Sequence, residues 1–270
     1  MRRPRWLQAC CAAGVRAARE FRYVTCRDWS LDEVGRFWDG VTDYDEINES
    51  TYSYFRRFTN SWDLAGPHVG SGMFMLDIQA RSGKGTEFWM EKGVVDRAVV
   101  ADFSDFLLEL AQARLDRMRD RCRWVKVTEF PLPFENGQFD LVASYETIEH
   151  IADRAAFVAE LSRVLKAGGL LILTCPNVLW EPMHWLAAIF GIHHSEGPHN
   201  FPLRRTLLSL FRRNGLSILE ENTTILLPFN QAACIRVNER LETTLPARLL
   251  RLCALRRSFV LRKEPGYAAT

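Results

Sequence analysis

Three groups of residues in this 270-residue chain have types and spacing that could do chemistry. The first is Tyr145-Glu146-Thr147-Ile148-Glu149-His150, where Glu146 and His150 stand at positions i and i+4 and would share one face of a short helix. With a pKa near neutrality, His150 could take a proton from a hydroxyl as a general base; it could equally be a structural histidine capping a turn. The second is the loop Leu76-Asp77-Ile78-Gln79-Ala80-Arg81-Ser82-Gly83-Lys84-Gly85. Its glycines allow a ligand close to the backbone, and a helix entered there offers free N–H groups. Arg81 could pair with a carboxylate through its forked donors, or point to solvent. Asp102 follows about 20 residues beyond the loop, where a carboxylate can accept both hydroxyls of a ribose or simply cap the next helix. The third group is His193, His194 and His199. Adjacent histidines point in different directions and no acid has matching spacing, so no metal site is expected.

The elements that must position these groups alternate between strand and helix. Met73 to Ile78, Val95 to Ala101, Cys122 to Val127, Phe139 to Ser144 and Leu170 to Thr174 read as strands apolar on both faces, as a sheet covered by helices needs. Between them lie helical patterns at Thr86 to Met90, after Ser104, and from Ala155 to Leu165. Lys166 to Gly169 reads as a helix stop and turn. Pro202 to Asn214 reads as a further helix, and Ser217 to Leu227 and Ser258 to Arg262 as last strands. Residues 30–62 form a helical preface, opened by Ser30 with Glu33 as a capping box. Tyr52, Tyr54 and Arg57 in this preface could close a site from above, though packing accounts for the tyrosines as well. Trp180, Trp185, Phe190 and Ile192 could form a lid, dip into a membrane surface, or be core.

A net charge of +2 with 25% charged residues excludes nucleic-acid binding by bulk electrostatics. The arginines from Arg204 to Arg262, with Lys263, suggest a basic surface that could meet anionic lipid or an acidic substrate. Seven cysteines without doubled Cys-x-x-Cys spacing fit a reducing, cytoplasmic setting. The Arg-rich, acid-poor opening raises a targeting peptide, with an extension favoured by the arginines that follow its weak apolar run. No run approaches the ~20 apolar residues of a spanning helix.

The wording from Leu132 to Asn177 resembles the second half of a class I S-adenosylmethionine-dependent methyltransferase domain, of the methyltransferase type 11 or type 23 kind. Its marks are Leu-Pro-Phe-Glu-Asn-Gly-Gln-Phe-Asp-Leu-Val, the turn through His150, and Arg-Val-Leu-Lys-Ala-Gly-Gly-Leu-Leu-Ile-Leu-Thr-Cys-Pro-Asn. The resemblance implies a doubly wound, mostly parallel, seven-stranded Rossmann-like sheet with an N-terminal helical cap and an insertion after the fifth strand. The expected division is a basic extension over 1–28, a helical cap over 29–65 and the methyltransferase domain over 66–270, with a lid-like insertion at 178–200. It implies S-adenosylmethionine as cofactor and a small-molecule or lipid-like acceptor, O- or C-methylation being favoured, with peripheral membrane contact open. In that pattern Asp77, Gln79, Arg81 and Gly83 make the cofactor loop, with Gln79 and Arg81 standing in the first two glycine positions. Asp102 holds the ribose, Phe103 packs on the adenine, Thr128 and Glu129 lie near the adenine amino group, and Tyr145 is beside the methionyl end. Glu146 and His150 border the substrate. A nicotinamide oxidoreductase would need Gly-x-Gly-x-x-Gly, which Gln79, Arg81 and Lys84 deny. The alternative is a methyltransferase-like scaffold that has lost its cofactor.

Overall fold

The computed structural model describes residues 5–192 and 194–267, with side-chain placements for all of these except 5–12 and 24. His193, Cys10, Cys11 and the first residues of the basic stretch lie outside those placements. In chain order the elements are α1 (Arg5–Thr25), α2 (Leu31–Asp39), α3 (Tyr44–Glu49), α4 (Tyr52–Ala65), β1 (Met73–Ile78), α5 (Lys84–Glu91), β2 (Val95–Asp102), α6 (Asp105–Arg114) and β3 (Cys122–Lys126). There follow β4 (Phe139–Tyr145), α7 (Arg154–Val164), β5 (Leu165–Pro176), α8 (Glu181–Phe190), α9 (Arg204–Arg213), β6 (Leu216–Thr224), α10 (Ala232–Thr244), α11 (Ala247–Cys253) and β7 (Arg256–Lys263).

The strands form one sheet in the order β3-β2-β1-β4-β5-β7-β6. The first five are parallel and β7 runs antiparallel to both β5 and β6. This is the expected doubly wound sheet. Its central strands are buried on both faces: Leu76, Val99, Val100, Leu141, Val142, Leu171 and Ile172 are inaccessible or nearly so. Because β1 and β4 are neighbours whose crossovers leave in opposite directions, their carboxyl ends frame a crevice where ligands bind in such folds.

The helical preface is three helices, α2 to α4. Gly40 and Thr51 break the pattern, ending α2 and preceding α4. Ser30 and Glu33 form the reciprocal capping box that starts α2, and Leu31, Val34, Gly35 and Trp38 are its buried stripe. Gly35 lies directly on the end of β2: a Cβ there would sit 2.0 Å from the carbonyl oxygen of Phe103. Asp39, at the end of the same helix, accepts from the Ser104 hydroxyl at 2.6 Å and the Phe106 N–H at 3.2 Å. Arg114 on α6 reaches Asp45 at 2.9 Å and also Glu49, tying down α3.

Some expectations end differently. Strand β6 stops at Thr224, where Ile225 turns with a positive φ of 70°. Helices α10 and α11 between β6 and β7 carry no clear periodic signal. The basic carboxyl-terminal residues are not one surface, since β7 is buried: Arg257 donates to the Asn177 side chain at 2.9 Å, Lys263 to the Leu165 carbonyl at 2.8 Å, and Arg256 turns inward. No helix among the described residues is long and apolar enough to cross a membrane.

The close approach at Gly35 yields a prediction. Gly35→Ala drives a methyl into the Phe103 carbonyl and must move α2, so unfolding in urea should show a loss of about 1–3 kcal/mol. An unchanged midpoint would show that α2 does not rest on β2.

Candidate active site

The loop after β1 does what a glycine loop does without its first two glycines. Gln79 has φ 55° and Arg81 φ 56°, both in the left-handed region, and Gly83 follows at 76°. For residues with a Cβ this conformation costs about 1–2 kcal/mol each. The loop is held by Asp102, whose two carboxylate oxygens accept the N–H groups of Arg81 at 2.7 Å and Ser104 at 2.9 Å. Gly85 is required next to them, because a Cβ there would meet the Asp77 carboxylate at 2.9 Å and the Tyr145 ring at 3.1 Å.

The loop side chains point inward. Gln79 is buried, and neither its amide nitrogen nor its amide oxygen has a hydrogen-bond partner. The guanidinium of Arg81 stacks on the Trp38 ring at 3.8 Å and donates to the Glu146 carbonyl at 3.4 Å, with Nη1 unpartnered. A small internal space lies between this loop, Tyr44, Tyr54, Arg57, Phe58, Asp77, Gly85 and Tyr145. Tyr145 is fixed there by the Trp89 indole, which donates to its hydroxyl at 2.7 Å.

A second, larger cleft, partly open to solvent, shares Tyr44, Arg57 and Arg81 with the first. Its floor is the exit of β4. Glu146 takes a positive φ of 50° there, and Ile148–His150 form a 3-10 turn rather than the expected α-helical turn. Glu146 and His150 nevertheless both line the cleft, joined by Glu149, Arg256 and His184. Arg256 arrives because β7, being antiparallel, starts where the parallel strands end; its Nε lies 3.1 Å from Glu146.

Electrostatics separate the acids. Burial pushes Asp77 up to about 7, although Thr86 donates to it at 2.8 Å. Burial likewise pushes Asp102 up to about 6 against the pull of Arg81. Burial would raise Glu146 too, but Arg256 and Arg57 hold it below the usual range. Glu149 is driven well above that range by burial and by the charge of Glu146. His150 departs most from expectation: burial, helped by Arg81, lowers it to about 3, so it is neutral at physiological pH. Its Nδ1 lies 2.9 Å from the Pro198 carbonyl and so must carry the proton. The near-neutral pKa of an efficient general base is therefore not met.

The structure brings Asp77, Gln79, Arg81, Gly83, Asp102, Tyr145, Glu146 and His150 to the carboxyl end of the sheet. Phe103 is there too, but buried under Gly35. Thr128 and Glu129 are exposed beyond β3 and line neither space. Trp38 carries no sequence signal of a site role; Glu149 stands within the Tyr145 to His150 group without a role of its own, and Arg256 is concealed in a run of basic residues. Among the described residues no group of three or more His, Cys, Asp or Glu could hold a metal ion.

Residues 76–173 match a methyltransferase domain family. Over 136 residues the chain is 27% identical to the ubiquinone/menaquinone biosynthesis C-methyltransferase of Idiomarina loihiensis, covering 48% of this chain and 53% of that protein. It is 26% identical over 176 residues to the ubiquinone biosynthesis O-methyltransferase of Roseobacter denitrificans, covering 62% and 69%. The chain thus spans about half the length of the first of these relatives. A chain from the Haloferax volcanii complex of the Trm112 methyltransferase activator with a methyltransferase superposes with a TM-score of 0.63 at 19% identity, over 84% of this chain and 97% of the other. At that identity the likeness is one of fold.

The buried acid beneath Gly85 generates a pH prediction. Unfolded, Asp77 ionises near 3.8; folded, it keeps its proton to about 7, so stability falls as pH rises through that window and stays low above it. Asp77→Asn keeps an oxygen for Thr86 and removes the buried charge. Its melting temperature should exceed wild type at pH 8 by more than at pH 5, and an equal difference at both would contradict the assignment.

Proposed function

We propose that this chain, whose residues 76–173 form a methyltransferase domain in a class I fold, transfers a methyl group from S-adenosylmethionine to a small-molecule or lipid-like acceptor, with oxygen or carbon as the favoured target. The observation that carries the reading is the loop Gln79–Gly85. It keeps strained, glycine-like backbone at two residues whose side chains end in buried, unpartnered polar atoms, and such strain gathers where a ligand binds.

The residues fit the cofactor chemically. The Gln79 amide offers one donor group and one acceptor, suited to an amino-acid end, and Arg81 Nη1 offers a donor to a carboxylate. The Asp102 carboxylate accepts the N–H groups of Arg81 and Ser104, with that of Phe103 beside them, and retains lone-pair capacity for a ribose hydroxyl. The fit in space is tighter: Phe103 and Asp102 lie under α2, so admitting an adenosine requires Gly35 to lift from Phe103. When bound, S-adenosylmethionine supplies an electrophilic sulfonium methyl. The chain then aligns and desolvates: the cap excludes water, and neutral His150 borders the acceptor as a weak base. Thr128 and Glu129 take no part in this reading.

The lipid-like option draws support from the quinone-biosynthesis relatives and from α8. Leu179, Met183, Leu186, Phe190 and Ile192 are exposed along and beside that helix, whose inner side carries His184 to the cleft. Arg16 of α1 donates to the Ile189 carbonyl beside it at 2.8 Å, adding positive charge near this face. Such a face suits shallow insertion into an anionic bilayer. In sedimentation with phosphatidylglycerol vesicles the chain should pellet and a Met183→Glu, Phe190→Glu variant should not; absence of wild-type binding removes the membrane part of the reading.

Calorimetry with S-adenosylhomocysteine tests the core of it. Asp102→Ala should lose at least about tenfold in affinity while His150→Ala loses less. The reverse order, or no heat with wild type, would favour the cofactor-free scaffold.

A further inference from the structure

The larger cleft is rich in positively charged side chains. Three guanidinium groups line it, from Arg57, Arg81 and Arg256. Arg256 is matched by Glu146 at 3.1 Å. Glu149, which might be taken as a second counter-charge, is held protonated by its burial and by Glu146. Glu196 is the remaining acid, 3.8 Å from the His194 ring and partly exposed, and its charge acts on Arg57 together with that of Glu146. Arg57 is different from the other two arginines. Its guanidinium lies over the Tyr54 ring at 4.7 Å, its Nε is buried without a partner, and no hydrogen bond or ion pair joins its side chain to any described residue. It projects from α4 at the boundary between the two spaces, lining both. A guanidinium whose counter-charges act only from a distance keeps donors for a ligand, and the fork of an arginine matches an oxyanion.

We propose that Arg57 anchors the acceptor molecule, and that the acceptor presents to it an oxyanion, a carboxylate or a phosphate. The inference rests on the methyl-transfer reading for the word acceptor, but the anion site stands on the cleft alone. The division of labour follows from position. Arg81, stacked on Trp38 beside Gln79, would hold the amino-acid end of the cofactor, whereas Arg57 lines the cleft floored by Glu146 and His150. A bound sulfonium cofactor adds a further positive charge next to this pair, which strengthens the demand for an anion on the second molecule.

The test uses the full chain and three probes, benzoate, phenyl phosphate and benzamide, titrated calorimetrically with and without saturating S-adenosylhomocysteine. Benzoate or phenyl phosphate should bind at least about tenfold more tightly than neutral benzamide, and the tighter of the two identifies the oxyanion. Arg57→Gln should abolish that preference and weaken benzoate binding by a larger factor than it weakens S-adenosylhomocysteine binding. Arg57→Lys, which keeps the charge and loses the fork, should fall between. Should Arg57→Gln fail to fold, the Nε resonance of Arg57 in the wild-type protein must shift as benzoate is added. Equal binding of benzoate and benzamide, a preference that survives Arg57→Gln, or an unmoved Nε resonance overturns the proposal. Anion binding that depends on Arg57 without any S-adenosylhomocysteine binding supports the site and sinks the methyl-transfer reading; cofactor binding without anion preference does the opposite.

Discussion

The carboxylate of Asp102 is the fixed point of the carboxyl edge of the sheet. Its two oxygens take the N–H groups of Arg81 and Ser104, joining the loop after β1 to the exit of β2. The first bond holds Arg81 in a left-handed conformation that its side chain disfavours. Ser104, so fixed, accepts the Leu107 N–H as the cap of α6 and donates to Asp39 at the end of α2. The cap is thereby drawn down until Gly35 rests on Phe103. The ring of Trp38, one turn along, then meets the guanidinium that the same loop has turned inward. Loop geometry, helix start, cap closure and the placing of Arg81 are one connected arrangement.

Closing that arrangement takes the ionisable groups out of water, and their pKa values record it. Asp77 and Asp102 shift up, His150 shifts down, and only Glu146, facing Arg256 and Arg57, stays readily ionised. A site with a neutral histidine and a paired glutamate is poorly equipped to move protons near pH 7. It is better equipped to position a reactive cofactor against an acceptor that already carries its own nucleophile. The arginines that line the cleft, Arg57, Arg81 and Arg256, make the identity of the bound molecules an electrostatic matter as much as one of shape.

The sheet is legible because its signal is local: apolar runs bounded by glycine and cap residues recover β1 to β4 to within a residue at each end, whereas β5 runs Leu165–Pro176 and takes in the Lys166 to Gly169 segment that reads as a turn. Asp77, Asp102 and the Glu146 to His150 turn were legible by their distance from those runs. What the sequence concealed depends on strand direction and on packing between distant segments. Arg256 looks like one more surface arginine until β7 is seen to run antiparallel, which sets its first residue beside Glu146. Gly35 looks like a weak point in a helix until the helix is laid on Phe103. The family pattern sets Thr128 and Glu129 near the adenine, and the chain after β3 leaves both exposed, away from the two spaces. The altered glycine loop was ambiguous for a related reason: residue types alone do not say whether Gln79 and Arg81 keep a positive φ.

The central claim is that the loop from Gln79 to Gly85 and the cap around Gly35 together form a cofactor site that opens at the contact between Gly35 and Phe103. A crystal structure of the chain grown with S-adenosylhomocysteine tests it most directly. The account predicts the ribose on Asp102, the amino-acid end against Gln79 and Arg81, and α2 displaced from Phe103. Ligand bound elsewhere, or ligand bound with the contact between Gly35 and Phe103 intact, would contradict it.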